Sequence, residues 1–427
     1  MKKRIISIVL TVAFALSCVS CFGLPQININ TSGSGNKLLD TLGSMLEFYS
    51  YYEYDFTDEQ MAKALVASYK EVTGDKYAFY YTEAEFKQMN DENLGKNQGI
   101  GVIIAENTEF GCIEIVSVLP ESPAEKAGVK VGDLIAAVGI KDNAENVVGM
   151  DFDIVAQMVR GEVGTLCEFA VARNKDFSNL IEFSILREEF VSKSVIYAKS
   201  KSDPSIGIVK ILQFDLVTPK HFCEAMESLI KDGCKKFVYD VRGNPGGDLN
   251  SVSAVLSRLY KSGDIIIRTE DKFSKDGEKE IIYCEPVSYK DDYADCSVSK
   301  MDIGKYRAYP AAVLVDANTA SAAELFASGM KDYGLAVIVG ETTYGKGSMQ
   351  SIFSLDYFDL PGAIKMTTAY YYPPISDNYN GVGVIPNEGY NVVLSEEASN
   401  INIYTLLSKS QELDNQLAAA IEALKNR

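Results

Sequence analysis

Three short buried-strand runs, Lys236–Val241, Ala311–Val315 and Leu335–Val339, constrain the fold of this chain more than any other feature. Between and around them, Leu249–Tyr260 and Ala322–Met330 carry apolar residues at helical spacing. Strands alternating with helices predict a layered α/β core, placed here at residues 188–400.

The rest of the chain reads as separate pieces. Residues 91–187 alternate β-type runs with glycines, which predicts a small β domain. Residues 37–90 carry apolar side chains at helical spacing, as in Met61, Leu65 and Tyr69, and predict a helical domain. Residues 401–427 repeat the helical pattern through Ile403, Leu406, Leu407, Leu413, Leu417 and Ile421. With 427 residues, 47% hydrophobic and 23% charged, the chain can bury several such cores. Its net charge of −18, with no basic run beyond the first four residues, argues against a nucleic-acid partner.

Lys2, Lys3 and Arg4 precede an apolar stretch from Ile5 to Leu16, the length of a signal-peptide core and too short to span a bilayer. Residues 1–21 are therefore expected to direct export. A buried N-terminal helix would explain the apolar run but neither the cationic start nor the small residues that follow. Val19-Ser20-Cys21 resembles the end of a lipoprotein box, and Ala15-Leu16-Ser17-Cys18 is a second candidate, although neither has leucine three places before its cysteine. Cys21 or Cys18 is the expected lipid anchor, with extracytoplasmic, membrane-anchored protein as the outcome. The Asn-, Ser-, Thr- and Gly-rich stretch within residues 22–36 reads as a tether.

The chemistry is narrowed by what the chain contains. Six cysteines beyond the leader include no Cys-x-x-Cys pair, and the chain has one histidine, so a zinc site of the usual kind is not expected and no cofactor is called for. In a chain of this size the cysteines are expected as free, buried thiols. Ser321, in Thr319-Ala320-Ser321-Ala322-Ala323-Glu324, opens a helix, and Ser-x-x-Glu is also a capping box that needs no further purpose. A serine hydroxyl becomes a useful nucleophile only beside a base. His221 lies at a helix start with no strained turn around it and reads as an exposed residue. Lys346, between Gly345 and Gly347 after a buried strand, is better placed, and a desolvated lysine can take the role.

Two sets of motifs carry a resemblance to a known family. Pro120-Glu121-Ser122-Pro123-Ala124-Glu125-Lys126-Ala127-Gly128-Val129 through Gly132-Asp133-Leu134-Ile135, followed by Val159-Arg160-Gly161, resembles a PDZ domain of the protease-associated kind. Thr319–Glu324, Gly340-Glu341-Thr342-Thr343-Tyr344-Gly345-Lys346-Gly347-Ser348-Met349-Gln350 and Asp240-Val241-Arg242-Gly243-Asn244-Pro245-Gly246-Gly247 are similar to motifs of the C-terminal processing (tail-specific) peptidases. The 25-residue spacing of Ser321 and Lys346 fits that family, and the likeness spans about Phe56 to Val393.

The resemblance implies an α/β multidomain protein: an N-terminal helical segment, a PDZ-like β domain and a peptidase core of the ClpP/crotonase type. It implies Ser321 as nucleophile, Lys346 as general base and Gln350 as the residue orienting the lysine. The amides of Gly246 and Ala322 would form the oxyanion hole, and Gly99, Ile100, Gly101 and Val102 the loop holding a peptide carboxylate. Arg160 resembles an arginine that couples the PDZ domain to the active site; it also reads as a solvated helix-end cation. Implied partners are protein or peptide substrates with accessible C-terminal tails, with a homodimer as a further expectation. Lys76, Ala323 and Asn387 depart from residues common in the family, and none is a catalytic group. A non-catalytic PDZ scaffold is the alternative, but it has no use for Ser321, Lys346 and Gln350 together. A penicillin-binding-type site needs Ser-x-x-Lys, and here Glu324 stands in that place.

Overall fold

The computed structural model describes residues 57–107, 109–119, 122–191, 193–275, 277–289, 296–399, 401, 406–407 and 410–425. Cys18, Cys21, the leader, the tether and the helical region up to residue 56 lie outside the described residues. The chain divides into two compact units, one drawn from Met1–Lys87 and Gln350–Thr368, the other from Gln88–Met349 and Ala369–Arg427.

Helix α1 (Asp58–Thr73) starts at a capping box: the Thr57 hydroxyl accepts from the Gln60 N–H, and the Gln60 side chain accepts from the Thr57 N–H. It stops at Gly74, whose left-handed φ of 72° lets its N–H reach back to the Lys70 carbonyl. The stripe Met61, Leu65 and Tyr69 does not face the core; these residues are 53%, 72% and 41% exposed. The neighbouring Ala62–Val66 stripe turns inward instead, onto Ala78, Tyr80, Leu355 and Ile364. Strand β1 (Phe79–Tyr81) follows, and then α2 (Glu83–Asn93).

The β-rich region contains β2 (Lys96–Gly99), β3 (Val102–Asn107), β4 (Cys112–Val118), α3 (Pro123–Ala127), β5 (Leu134–Val138), β6 (Glu145–Asn146), α4 (Phe152–Val159), β7 (Leu166–Ala172), β8 (Ile181–Leu186) and β9 (Glu188–Val191). Its main sheet runs β3-β4-β5-β7-β8 with antiparallel neighbours, while β2 pairs with β9. Alternate residues Ile113, Ile115, Phe169 and Val171 point inward onto Val155 and Val159 of α4. The buried Asp133 accepts both Nε and Nη2 of Arg173, at 2.8 and 2.7 Å, which ties the start of β5 to the end of β7.

The α/β region comprises β10 (Val195–Lys199), β11 (Ile206–Ile211), α5 (Thr218–Lys231), β12 (Lys236–Asp240), α6 (Leu249–Ser257), β13 (Ile265–Asp271), β14 (Glu280–Tyr283), β15 (Ala311–Val315), α7 (Ala322–Asp332), β16 (Ala336–Gly340), β17 (Ser348–Ser354), β18 (Ala363–Tyr372), α8 (Glu396–Ser399) and α9 (Asn415–Lys425). The sheet order is β10-β11-β12-β15-β16, parallel except at the β10 edge. Both faces are covered, as a parallel sheet requires. Val209, Phe237, Tyr239 and Val313 meet Phe222, Val255 and Phe326 from α5, α6 and α7. Ile208, Val238 and Leu314 point the other way, onto Leu417, Ile421 and Leu424 of α9. Within the first unit, 79–81 pair with 363–365 of β18; within the second, 268–271 pair with 369–372.

Candidate active site

In an open parallel sheet the loops leaving the strand C-termini converge, and chemistry gathers there. Three such loops, after β12, β15 and β16, carry Gly246, Ser321 and Lys346. The first is fixed by Asn244, a fully buried side chain whose Nδ2 donates to the Ile211 carbonyl at 3.0 Å. Its Oδ1 accepts the Gly246 N–H at 2.8 Å, and its carbonyl accepts the Ala320 N–H at 2.9 Å. Gly243 donates its N–H to Asp316 Oδ1 at 2.8 Å, and Thr319 donates its hydroxyl to the Val241 carbonyl at 2.9 Å. The first and second loops are thereby stitched together.

Ser321 stands where β15's loop becomes α7, with φ 55° and ψ −121°. A residue with a Cβ pays about 1–3 kcal/mol for such a backbone, so the surroundings must hold it there. Gly246 is pressed against it: a Cβ on Gly246 would lie 2.7 Å from the Ser321 Cβ and 2.8 Å from the Ala320 carbonyl oxygen. Any side chain at 246 would push the serine away, which is why glycine follows Pro245 in this turn. The Ala322 N–H belongs to the first turn of α7, where amides have no intrahelical acceptor and can face an anion.

The third loop, between Gly340 and Ser348, is fastened to that same turn by one side chain. Glu324 is fully buried. Its Oε2 accepts the N–H groups of Ser321 and Lys346, each at 2.8 Å. Its Oε1 accepts the Thr343 hydroxyl at 2.5 Å and the Gly345 N–H at 2.6 Å. Burial pushes the Glu324 carboxyl up, and the bonds from Thr343, Lys346, Gly345 and Ser321 pull it back only in part. Lys346 is half-buried, and its carbonyl accepts the Tyr371 hydroxyl at 2.5 Å. Serine and lysine backbones thus meet at one carboxylate.

Residues 205–389 match peptidase family S41, and residues 114–173 match the PDZ domain. The chain carries an S41 peptidase domain. Carboxy-terminal processing protease CtpA of Bacillus subtilis is 29% identical over 372 residues, covering 86% of this chain and 73% of that relative. A carboxy-terminal-processing protease of Bartonella bacilliformis is 26% identical over 390 residues, covering 87% and 82%. The solved structure of a photosystem II D1 C-terminal processing protease shares the fold, with a TM-score of 0.60 at 23% identity over 88% of this chain and 92% of that one.

The remaining expected residues sit as follows. Gln350 falls in the other compact unit, where its Nε2 donates to Thr367 Oγ1 at 3.1 Å and Thr367 in turn donates to Asp75 Oδ1 at 2.8 Å. Gly99 and Gly101 take positive φ of 116° and 81°, and a Cβ on Gly101 would collide with Ser122 at 2.3 Å and Phe190 at 2.7 Å. Between them Ile100 is buried, its carbonyl accepting the Ala124 N–H, and Val102 begins β3 opposite Val118. Arg160 is the exposed C-cap of α4; burial pushes the Glu92 carboxyl up, and the bond from Gln88 and the nearby Arg160 charge pull it back only in part. His221 differs from expectation: it is half-buried, with Nδ1 3.0 Å from the Ser194 hydroxyl, because α5 lays its first turn against the segment entering β10. The six cysteines from Cys112 to Cys296 are free, and all but the half-buried Cys223 are buried.

Several residues of the site region have partners that no local sequence pattern assigns. Arg242, between the strand β12 and the glycine loop, is buried with Asp240 and Asp414, at 2.7 and 2.8 Å from Nη2, and its Nη1 donates to Gln416 Oε1 at 3.0 Å. Lys210 of β11 is buried beside the same Asp240 at 3.2 Å. Burial lifts the Asp240 carboxyl and Arg242 and Lys210 outweigh it, leaving a value of about 2. Arg187 holds the Val159, Arg160 and Leu166 carbonyls, which fixes the end of α4.

Proposed function

We propose that this S41 peptidase is an exported serine endopeptidase that cleaves proteins near their C-termini through a Ser-Lys acyl-enzyme. The observation that carries the reading is the strained Ser321 at the start of α7, abutted by Gly246 and tied through Glu324 to the backbone of Lys346. Neutral Lys346 takes the Ser321 proton as Oγ attacks the scissile carbonyl, and the resulting ammonium returns the proton to the leaving amine. Water then releases the acyl group by the same base. The Ala322 N–H stabilises the oxyanion. The Gly246 N–H can join it only by leaving Asn244 Oδ1, which it engages here. Gln350 is the proposed orienting partner of the lysine.

The PDZ domain receives a substrate tail by strand addition, its carboxylate at Gly99–Val102. The named processing proteases among the relatives support this substrate class. Incubating the folded chain with an unfolded test protein should yield C-terminal fragments that vanish in Ser321→Ala; cleavage by that variant at the original rate would end the assignment. The leader and a lipid on Cys21 or Cys18 are the proposed route to the membrane surface. Replacing both cysteines should move the protein out of the membrane fraction.

A further inference from the structure

We propose that Glu324 is a positioning residue for peptide hydrolysis, its carboxylate clamping the backbone of Ser321 to the backbone of Lys346. The inference rests on the Ser-Lys reading above. As a capping residue Glu324 needs one bond, to the Ser321 N–H. It makes three more, to Thr343, Gly345 and Lys346, all on the loop between β16 and β17. That loop has left the sheet, so the Gly345 and Lys346 amides have no ladder partner, and the carboxylate is the acceptor that takes their place.

The choice of residue is chemically specific. Four donors converge on two oxygens, and an ionised carboxylate is the side chain that only accepts and has about four lone-pair sites. An isosteric amide keeps one oxygen and turns the other into an NH2 facing two donors. A full carboxylate is also expensive to bury completely, and a capping role alone would not require that depth. Thr343 completes the clamp: its hydroxyl donates to Glu324 and accepts the Val384 N–H at 2.6 Å, which sets its direction. Since Ser321 is held in an unfavourable backbone conformation, loss of its N–H partner would let the hydroxyl drift, and the lysine loop would drift independently.

The test uses the whole chain, an internally quenched peptide and a fluorophosphonate that labels the reactive serine. End-point labelling counts folded sites, and turnover is expressed per labelled site. Glu324→Gln should lower kcat per site by roughly 100-fold, the scale of a misplacement near 1 Å, with KM changed by less than about twofold, and should slow labelling in parallel. Thr343→Ser, which keeps the hydroxyl, should retain most of the turnover that Thr343→Val loses; this pair decides the matter if Glu324→Gln does not fold. Full kcat per labelled site in Glu324→Gln, with only fewer sites labelled, would make the residue merely structural and overturn the proposal. Ser321→Ala separates the two ideas: if it still hydrolyses the peptide, the Ser-Lys reading falls whatever Glu324 does.

Discussion

Lys346 offers a sharp distinction at the scale of single residues, because arginine keeps its charge and reach but stays protonated and cannot serve as a base. Lys346→Arg should therefore be as inactive as Lys346→Ala in the peptide assay, whereas substantial activity would reduce the lysine to a charge partner. Asp215 supplies a pH test of stability. Burial pushes its carboxyl up to about 6 from 3.8, against bonds from Thr218, Ser194 and the Val217 amide. The native state thus holds a proton that the unfolded chain releases. Its stabilising contribution is complete below about pH 3.8 and is lost as pH rises through about 6, a change of about 3 kcal/mol. Asp215→Asn should flatten that part of the stability profile, as read by urea unfolding at pH 4 and pH 7; an unchanged slope would refute it. Ser321 itself was legible through its neighbours, since the same Ser-x-x-Glu served equally as a cap. The second use of Glu324 was not, because its partners lie 19 to 22 residues downstream.

Helix α9 belongs to the α/β core at the scale of elements, although its sequence marks only an amphipathic helix. Leu417, Ile421 and Leu424 close one face of the sheet, and Asp414 and Gln416, at its start, hold Arg242 immediately before the glycine loop. Asp414→Ala would leave that buried guanidinium half-paired, which should cost about 3–5 kcal/mol and lower kcat through the loop. Thermal unfolding beside peptide kinetics checks both, and wild-type values for each would dismiss the link. Strand β11 makes the complementary point. The sequence reading places no strand at Ile206–Ile211, and a lysine in a fully buried strand is tolerable only because Asp240 and the Arg242 carbonyl accept its ammonium. Both lie some thirty residues away.

For the whole molecule, the question is whether the PDZ domain tethers substrate or also governs the peptidase. Arg160 ends α4 beside Gly161, where the Arg187 guanidinium leaves no room for a Cβ, so its backbone is fixed while its side chain is exposed. If it couples the PDZ domain to catalysis, Arg160→Ala should lower kcat on long substrates more than it raises KM. Deleting residues 95–173 should then alter cleavage of peptides too short to reach both sites. Short-peptide cleavage untouched by either change would leave the domain a passive tether.

Some properties follow from residues a few positions apart, and these the sequence determined. The capping box of α1, the buried runs of β12, β15 and β16, the PDZ string and the Ser-Lys spacing are all of this kind, since helix periodicity, strand alternation and turn chemistry act locally. The tertiary structure decided what depends on which distant groups come to share a space without water. The Met61 stripe faces outward because Ala62 and Val66 found partners in Leu355 and Ile364. The buried charges of Lys210, Arg242 and Glu324 are tolerable only where strands and loops from elsewhere deliver acceptors and donors to them. A buried charge costs so much unpaired that its place is set by its partners, and no local pattern records who they are.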